Sequence, residues 1–277
     1  MQRILVPIDF SPSSEKVILT AEHWAKTFGA TIELFYVEEA YSNQGIDTEY
    51  LYGTGEDTVL LQLIKEHEKQ LKTIAEKIDP SIDVKTDLRI GRIANTIEDK
   101  VKEGDYSMVI MGTRGMNEWD RLLVGSNAEK MLRKTELPLL FVPQKAASPI
   151  AVSSIVLATN SSEDNERLIH QVKKLQAAFS AKIKLLRVIT ASDFYPTYEA
   201  RSLLTKYAEK NTLENFSAHT YNAHNIEEGI ISFAEEEDAH LIAMASHYGT
   251  VFSALFGSVS QGVVQTSDIP VFSMNVS

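Results

Sequence analysis

The sequence predicts an α/β protein built as two tandem units, each an open parallel sheet with crossover helices. Short apolar runs alternate with helical patterns, as they do where parallel strands are joined through helices. The pattern of residues 1 onward returns from residue 151 onward. The length, 277 residues, exceeds the usual span of one domain and suits two.

In the first unit, strands are expected at 2–8, 31–37, 83–89, 107–112 and 138–142. Ser11-Pro12 starts the first helix as cap and first-turn proline. Ile18, Ala21, Trp24, Ala25 and Phe28 then give its buried face at helical spacing. A long helix near 58–78 carries Leu60, Leu61, Leu63, Ile64, Leu71, Ile74 and Ala75 toward the sheet, with Glu66, Glu68 and Lys69 as a solvated face. The last strand contains Pro138 and its counterpart contains Pro270. A proline cannot donate to a ladder, so both read as edge strands. Gln144 to Ile150 lacks periodicity and reads as a linker, placing the domains at 1–144 and 151–277.

The repeat is exact enough to align. An offset of 151 carries Ile4 to Ser11 onto Ile155 to Ser162 and Phe28 to Leu34 onto Phe179 to Leu185. Ile93 to Met111 then matches Ile226 to Met244 at an offset of 133, and Gly125-Ser126 matches Gly257-Ser258 at 132. The first unit therefore carries an insertion, near 39–58, that the second lacks. Its Tyr41, Tyr50 and Tyr52 are suited to a lid that shelters a base, or to a surface loop.

Composition limits the function. The formal net charge of −11, with no local cluster of Lys and Arg, argues against holding nucleic acid by counterion release. No cysteine is present, so thiolate metal sites are excluded and a reducing, cytoplasmic setting is expected. No stretch approaches the roughly 18 apolar residues of a membrane span. The seven histidines show no paired metal-binding spacing, and neither a G-x-S-x-G elbow nor a Walker lysine occurs. No metal ligands and no catalytic residues are assigned.

What remains is a phosphate cradle in outline. Directly after the apolar run Met108 to Met111, glycines stand at Gly112, Gly115 and Gly125, spaced G-x2-G-x9-G-S. Glycine lets backbone N–H groups approach a ligand. Ser126 with Glu129 forms a capping box at the start of a helix whose dipole favours anions. Asp9, ending the first strand, suits a ribose or a base edge, and alternatively caps the first helix. Arg114 lies within the loop, where it neutralises phosphate or is solvated.

These residues carry a family resemblance. Val6-Pro7-Ile8-Asp9-Phe10-Ser11, then Met111-Gly112-Thr113-Arg114-Gly115, nine residues, and Gly125-Ser126-Asn127-Ala128-Glu129 resemble the universal stress protein family, and the tandem resembles its two-domain members. The resemblance implies five-stranded sheets of order 3-2-1-4-5, of the Rossmann-like adenine nucleotide alpha hydrolase type. It implies ATP, with Mg²⁺ held mainly by the phosphates, bound between strands one and four. Pro7 belongs to the matched first-strand motif. Asp9 matches a nucleoside contact, Val37 the end of strand two beside the adenine, and Met111 an apolar neighbour. Gly112, Gly115, Gly125, Ser126 and Asn127 match the phosphate and ribose cradle. It also implies pairing through the last strand, so the two units form an intramolecular pseudo-dimer, with further homodimerisation open.

The second unit departs from the pattern. Pro7, Asp9, Gly112 and Gly115 become Ala158, Asn160, Ala245 and Tyr248. The fold, including a Ser258 to Gln261 capping box, is expected to survive there, with nucleotide binding weak or lost. The function expected is an ATP-binding regulatory protein of the stress response, read by a protein partner. The alternatives are a slow ATPase or self-phosphorylating enzyme, and a nucleotide-free scaffold.

Overall fold

The computed structural model describes residues 2–39, 56–113, 126–147, 149–161, 165–246 and 253–276, with 56–59, 126–127 and 253–258 as backbone alone. In the first repeat the order is β1 (Arg3–Ile8), α1 (Pro12–Phe28), β2 (Thr31–Glu38), α2 (Glu56–Ala75), β3 (Val84–Ile90), α3 (Ile93–Glu103), β4 (Met108–Gly112), α4 (Ser126–Lys134) and β5 (Leu139–Val142). In the second it is β6 (Ser154–Ala158), α5 (Glu166–Phe179), β7 (Lys182–Ile189), α6 (Thr197–Lys210), β8 (Phe216–Asn222), α7 (Ile226–Glu236), β9 (Leu241–Ser246), α8 (Ser253–Thr266) and β10 (Val271–Asn275).

Each repeat has the strand order 3-2-1-4-5, and the two join into one ten-stranded sheet, β3-β2-β1-β4-β5-β10-β9-β6-β7-β8. Strands run parallel within a repeat; only the joint is antiparallel, with Phe141, Leu140 and Leu139 opposite Val271, Phe272 and Ser273. The proline-bearing strands are thus the two central strands of the sheet, not its edges. Pro138 and Pro270 stand one residue outside the ladder, where each is only an acceptor: Val109 N–H donates to the Pro138 carbonyl and Ile242 N–H to the Pro270 carbonyl. A missing donor costs nothing there. The outer edges are the half-exposed, polar strands β3 and β8, as edges that resist further pairing should be.

Side chains alternate between two apolar layers. Ile4, Val6, Ile32 and Leu34 pack under α1 and α2, continuous with Ile155, Leu157, Ile183 and Leu185 under α5 and α6. Leu5, Phe35, Val109 and Phe141 pack on the other face under α3 and α4, continuous with Val156, Ile242 and Val271 under α7 and α8. Trp24 and Phe28 of α1 meet Phe179 of α5 with ring centroids 5.3 and 5.8 Å apart, so helix packing also bridges the repeats. The linker packs rather than tethers: Ala146, Ile150 and Val152 are buried in the first layer, and Lys16 Nζ donates to the Ala146 carbonyl at 2.8 Å.

The repeat extends to backbone conformation. Gly29 ends α1 with φ 61° and Ser180 ends α5 with φ 54°; both close the helix by donating to a carbonyl four residues back. Phe10 and Ser161, also equivalent, stand at φ 59° and 64°.

Three local expectations are corrected. In α2, Leu61 is 55% and Leu63 37% exposed, because these residues lie about 200° apart on a helix and no single face holds both with Leu60 and Ile64. In α1, Ser11 occupies the cap position but makes no capping bond with its side chain; its hydroxyl and that of Ser14 donate to Asp9 instead. In the second repeat the helix begins at Ser253, so Ser258 lies inside α8 rather than at its start. Ala254 and Leu255, good helix formers, carry the helix back through Gly257, and the Ser258 to Gln261 capping box does not form an end.

Glu33 is a carboxylate buried on β2. Tyr106 Oη donates to its Oε2 at 2.9 Å, and Lys100 Nζ lies 2.5 Å from Oε1 and 2.7 Å from Asp87 Oδ2. The equivalent residue of the second repeat is Lys184, paired with Glu237 at 2.9 Å; the position stays charged while its sign reverses. Removing one partner of a buried pair costs about 3 kcal/mol. Lys100→Met is therefore expected to lower unfolding free energy by about that amount in urea titration. Lys184→Met is expected to cost less, because Glu237 is 40% exposed and regains solvent.

Candidate functional site

Chain topology fixes where a ligand can sit. β1 is followed by α1 on one face of the sheet and β4 by α4 on the other, so a crevice opens between the carboxyl ends of β1 and β4. The repeats differ there in backbone pairing. β1 follows β2 from Arg3 through Ile8, while its ladder with β4 covers Ile4–Met108 and Leu5–Val109. Pro7 has no N–H to donate toward β4, so the hydrogen-bonded ladder ends there. In the second repeat Ala158 replaces Pro7, and β6 remains paired to β9 through Leu157–Ala243 and Ala158–Met244. The two crevices differ by one backbone donor facing the fourth strand.

Asp9 stands at the β1–β4 crevice, over the start of α1. Its Oδ1 accepts from Ser11 N–H at 3.1 Å, Ser11 Oγ at 2.6 Å and Ser14 Oγ at 2.6 Å, and its own N–H donates to Ser14 Oγ at 3.1 Å. The carboxylate thus serves the helix start, which also favours its charge. Among the described residues Oδ2 accepts no bond, so one oxygen remains for a ligand. Opposite, Met111 is buried and Gly112, ending β4, is partly exposed. Val37 is buried near the end of β2, on the same face as Met111. α4 begins at Ser126, with Asn127 second and Glu129 in its first turn, so its free N–H groups face this end of the sheet. Arg114, Gly115 and Gly125 lie outside the described residues, as do Tyr41, Tyr50 and Tyr52. The side chains of Ser126 and Asn127 are not described.

An aromatic cluster beside Asp9 escaped sequence reading. Phe10 stacks on Tyr36 with centroids 4.5 Å apart, and His67 of α2 lies 5.4 and 4.8 Å from these rings. His67 Nδ1 meets Glu38 Oε2 at 2.7 Å. Burial, with the Glu38 carboxylate nearby, pushes the Tyr36 phenol up to about 12. The one signal available was the adjacent aromatic pair Phe35-Tyr36 near the end of β2.

The second repeat fills the same place with charge. Arg187, equivalent to Tyr36, is 5% exposed. Its guanidinium donates to the Asn160 carbonyl, pairs with Asp193 Oδ2 at 3.0 Å and lies 4.3 Å from the Tyr195 ring centroid. Asn160 is the residue that replaces Asp9. Tyr248 and Gly249 of the second glycine loop lie outside the described residues.

Two outcomes follow. Asp9→Ala strips the α1 start of an acceptor and is expected to cost about 1–2 kcal/mol of stability without any ligand, measured by urea unfolding, while Asp9→Asn costs less because an acceptor oxygen remains. Tyr36 gives a pH dependence. An unfolded chain loses that proton near 10.0 and the folded chain holds it to about 12, so the folded state binds more protons between them. Stability falls as pH rises through this window, and Tyr36→Phe is expected to flatten the fall in thermal melts from pH 9 upward.

Known proteins agree with this architecture. The universal stress protein family model matches residues 1–143 and again 152–273. A universal stress protein of Methanocaldococcus jannaschii is 28% identical over 145 residues, 51% of this chain and 81% of that protein. Stress response protein NhaX of Bacillus subtilis is 27% identical over 161 residues, 50% of this chain and 96% of its own. In fold, a universal stress protein from Archaeoglobus fulgidus superposes with a TM-score of 0.75 at 22% identity, covering 99% of this chain and 96% of that one. Matched twice along its length, the chain belongs to the universal stress protein family, as a tandem of two such domains.

Proposed function

We propose that this protein is an adenine-nucleotide-binding regulator with one competent site, in the crevice between β1 and β4 of its N-terminal repeat. The observation that carries this reading is the contrast between equivalent crevices: Pro7 stops the β1–β4 ladder at Leu5–Val109, whereas the β6–β9 ladder continues to Ala158–Met244. Pro7 withholds one backbone donor at the crevice, and beside it stands the Asp9 carboxylate, where the second repeat has Asn160 with the buried Arg187 on its carbonyl.

The residues fit a nucleotide. The free Oδ2 of Asp9 accepts from a ribose hydroxyl or an amino group, while Val37 and Met111 supply apolar surface for a purine. Gly112 and the start of α4 bring N–H groups toward the phosphates, with Gly115, Gly125, Ser126 and Asn127 completing the glycine motif and Arg114, within that motif, a cation suited to neutralise their charge. Bound ATP would bring its own Mg²⁺, since phosphate oxygens rather than carboxylates supply most of its ligands. The protein's part is to bind and orient. Occupancy stabilises the glycine-loop arrangement it prefers, and a protein partner responds to that arrangement.

Calorimetry of the full chain with ATP and Mg²⁺ is expected to give a single binding event. Gly115→Tyr, which imitates Tyr248, and Pro7→Ala, which imitates Ala158, are each expected to weaken it at least about tenfold, about 1.4 kcal/mol. Two equal sites overturn the assignment to one repeat, and absence of binding overturns the regulator in favour of a scaffold. Phosphate release well above background and abolished by Asp9→Ala overturns it in favour of an enzyme.

A further inference from the structure

The geometry points to His67, on α2, as a positioning residue of the β1–β4 crevice: through the rings of Phe10 and Tyr36 it fixes the direction of the Asp9 carboxylate, an inference that rests on nucleotide binding at that crevice. The hydrogen bonds of Asp9 secure one oxygen. Oδ1 accepts from Ser11 and Ser14, both at the start of α1, so the direction left to Oδ2 depends on the peptide that joins Asp9 to Phe10. Phe10 stands at φ 59°, a conformation that a bulky side chain leaves readily unless it is held.

Here the ring of Phe10 is held. It stacks on Tyr36 with centroids 4.5 Å apart and planes 26° apart, and the imidazole of His67 lies 5.4 Å from it and 4.8 Å from Tyr36. The imidazole is fixed in turn. Its Nδ1 lies 2.7 Å from Glu38 Oε2, with the two side chains 18% and 13% exposed. Phe10 cannot swing out of the turn without displacing a ring that α2 and β2 hold between them.

The second repeat shows that the fold does not require this buttress. Leu71 to Lys77 recurs as Leu204 to Lys210 at an offset of 133, so Ala200 takes the place of His67, while Ser161 and Arg187 take those of Phe10 and Tyr36. None of the three rings remains, yet Ser161 keeps the turn at φ 64°. The repeat without the buttress is also the one without the carboxylate, since Asn160 replaces Asp9. Withdrawing an imidazole and a carboxylate from water carries a penalty that only their mutual bond offsets, and the fully buried Ala200 incurs none. What the first repeat gains in exchange is a carboxylate held in one direction, ready for a ligand.

Calorimetry of the full chain with ATP and Mg²⁺ tests this with two variants that keep a bulky side chain, His67→Leu and His67→Phe. Both deprive Glu38 of its partner, and urea unfolding is expected to show a similar loss of stability in each. Only phenylalanine returns a ring face to Phe10 and Tyr36. His67→Leu is therefore expected to weaken binding about fivefold, the scale of one aromatic contact, and His67→Phe to retain most of the affinity. Asp9→Asn keeps Oδ1 for the two serines and turns the free oxygen into a donor; in that background the difference between the variants is expected to vanish, as it does for residues that act through one another. Equal affinity of the two variants overturns the proposal, and so does a difference that persists in full with Asp9→Asn. Both of those results leave the nucleotide site standing, whereas an unaltered chain that binds no ATP overturns the site and the role of His67 together.

Discussion

Leu140 and Phe272 are the same residue of the two repeats, related by the offset that carries Pro138 onto Pro270, and they stand directly opposite each other where β5 meets β10. That pair lies on the molecule's approximate two-fold axis, and the rest of the architecture depends on it. A sheet of order 3-2-1-4-5 ends in an open edge at its fifth strand, with a row of unpaired N–H and C=O groups that attracts other strands. Two such edges with equal patterns satisfy each other in antiparallel register, as in any isologous contact. Both residues are nearly fully buried, and the apolar layers run across the joint on both faces, so neither half presents an intact surface without the other.

Symmetry at the joint releases the repeats from being alike elsewhere. Once the core is shared, the second crevice can change its chemistry without loss of the fold. With Ala158 in place of Pro7 the β6–β9 ladder runs on, and Arg187 ties the neighbouring strand ends to the Asn160 carbonyl, Asp193 and Tyr195. Burying a guanidinium is costly unless it is paired and hydrogen-bonded; here it is both. The first repeat closes the same strand ends with Phe10, Tyr36 and His67 instead, and so leaves the Asp9 carboxylate, rather than a cation, beside the crevice.

Much of this was legible in the sequence, and its limits have physical causes. Strand positions and the repeat follow from apolar runs and punctuating glycines and prolines, because local pattern and tertiary burial agree there. The central position of β5 and β10 was not legible from Pro138 and Pro270 alone, since a proline just outside a ladder leaves the same trace as one on an edge. Nor was the role of Asp9. Ser11-Pro12 is a sound helix start, and nothing local says that the Ser11 hydroxyl will point back to Asp9, or that Ser14, a turn later, will join it. The start of α8 was misread because Gly257-Ser258 copies Gly125-Ser126, while the helix-forming residues before it decide the boundary.

The left-handed residue after the first strand of each repeat separates what the fold requires from what a ligand requires. Phe10 and Ser161 are not glycines, and each stands where a side chain is strained by about 1–2 kcal/mol. Strain confined to the first crevice would suggest preparation for a ligand. It occurs in both repeats, at φ 59° and 64°, and one of these repeats lacks the carboxylate of Asp9. The turn is therefore imposed by the passage from strand to helix, and its strain says nothing about binding. What differs at that turn is chemistry: Pro7 against Ala158 in the ladder, Asp9 against Asn160 at the helix start, Tyr36 against Arg187 behind them. Those three differences, not the backbone, distinguish a crevice carrying a carboxylate from one with an arginine behind it.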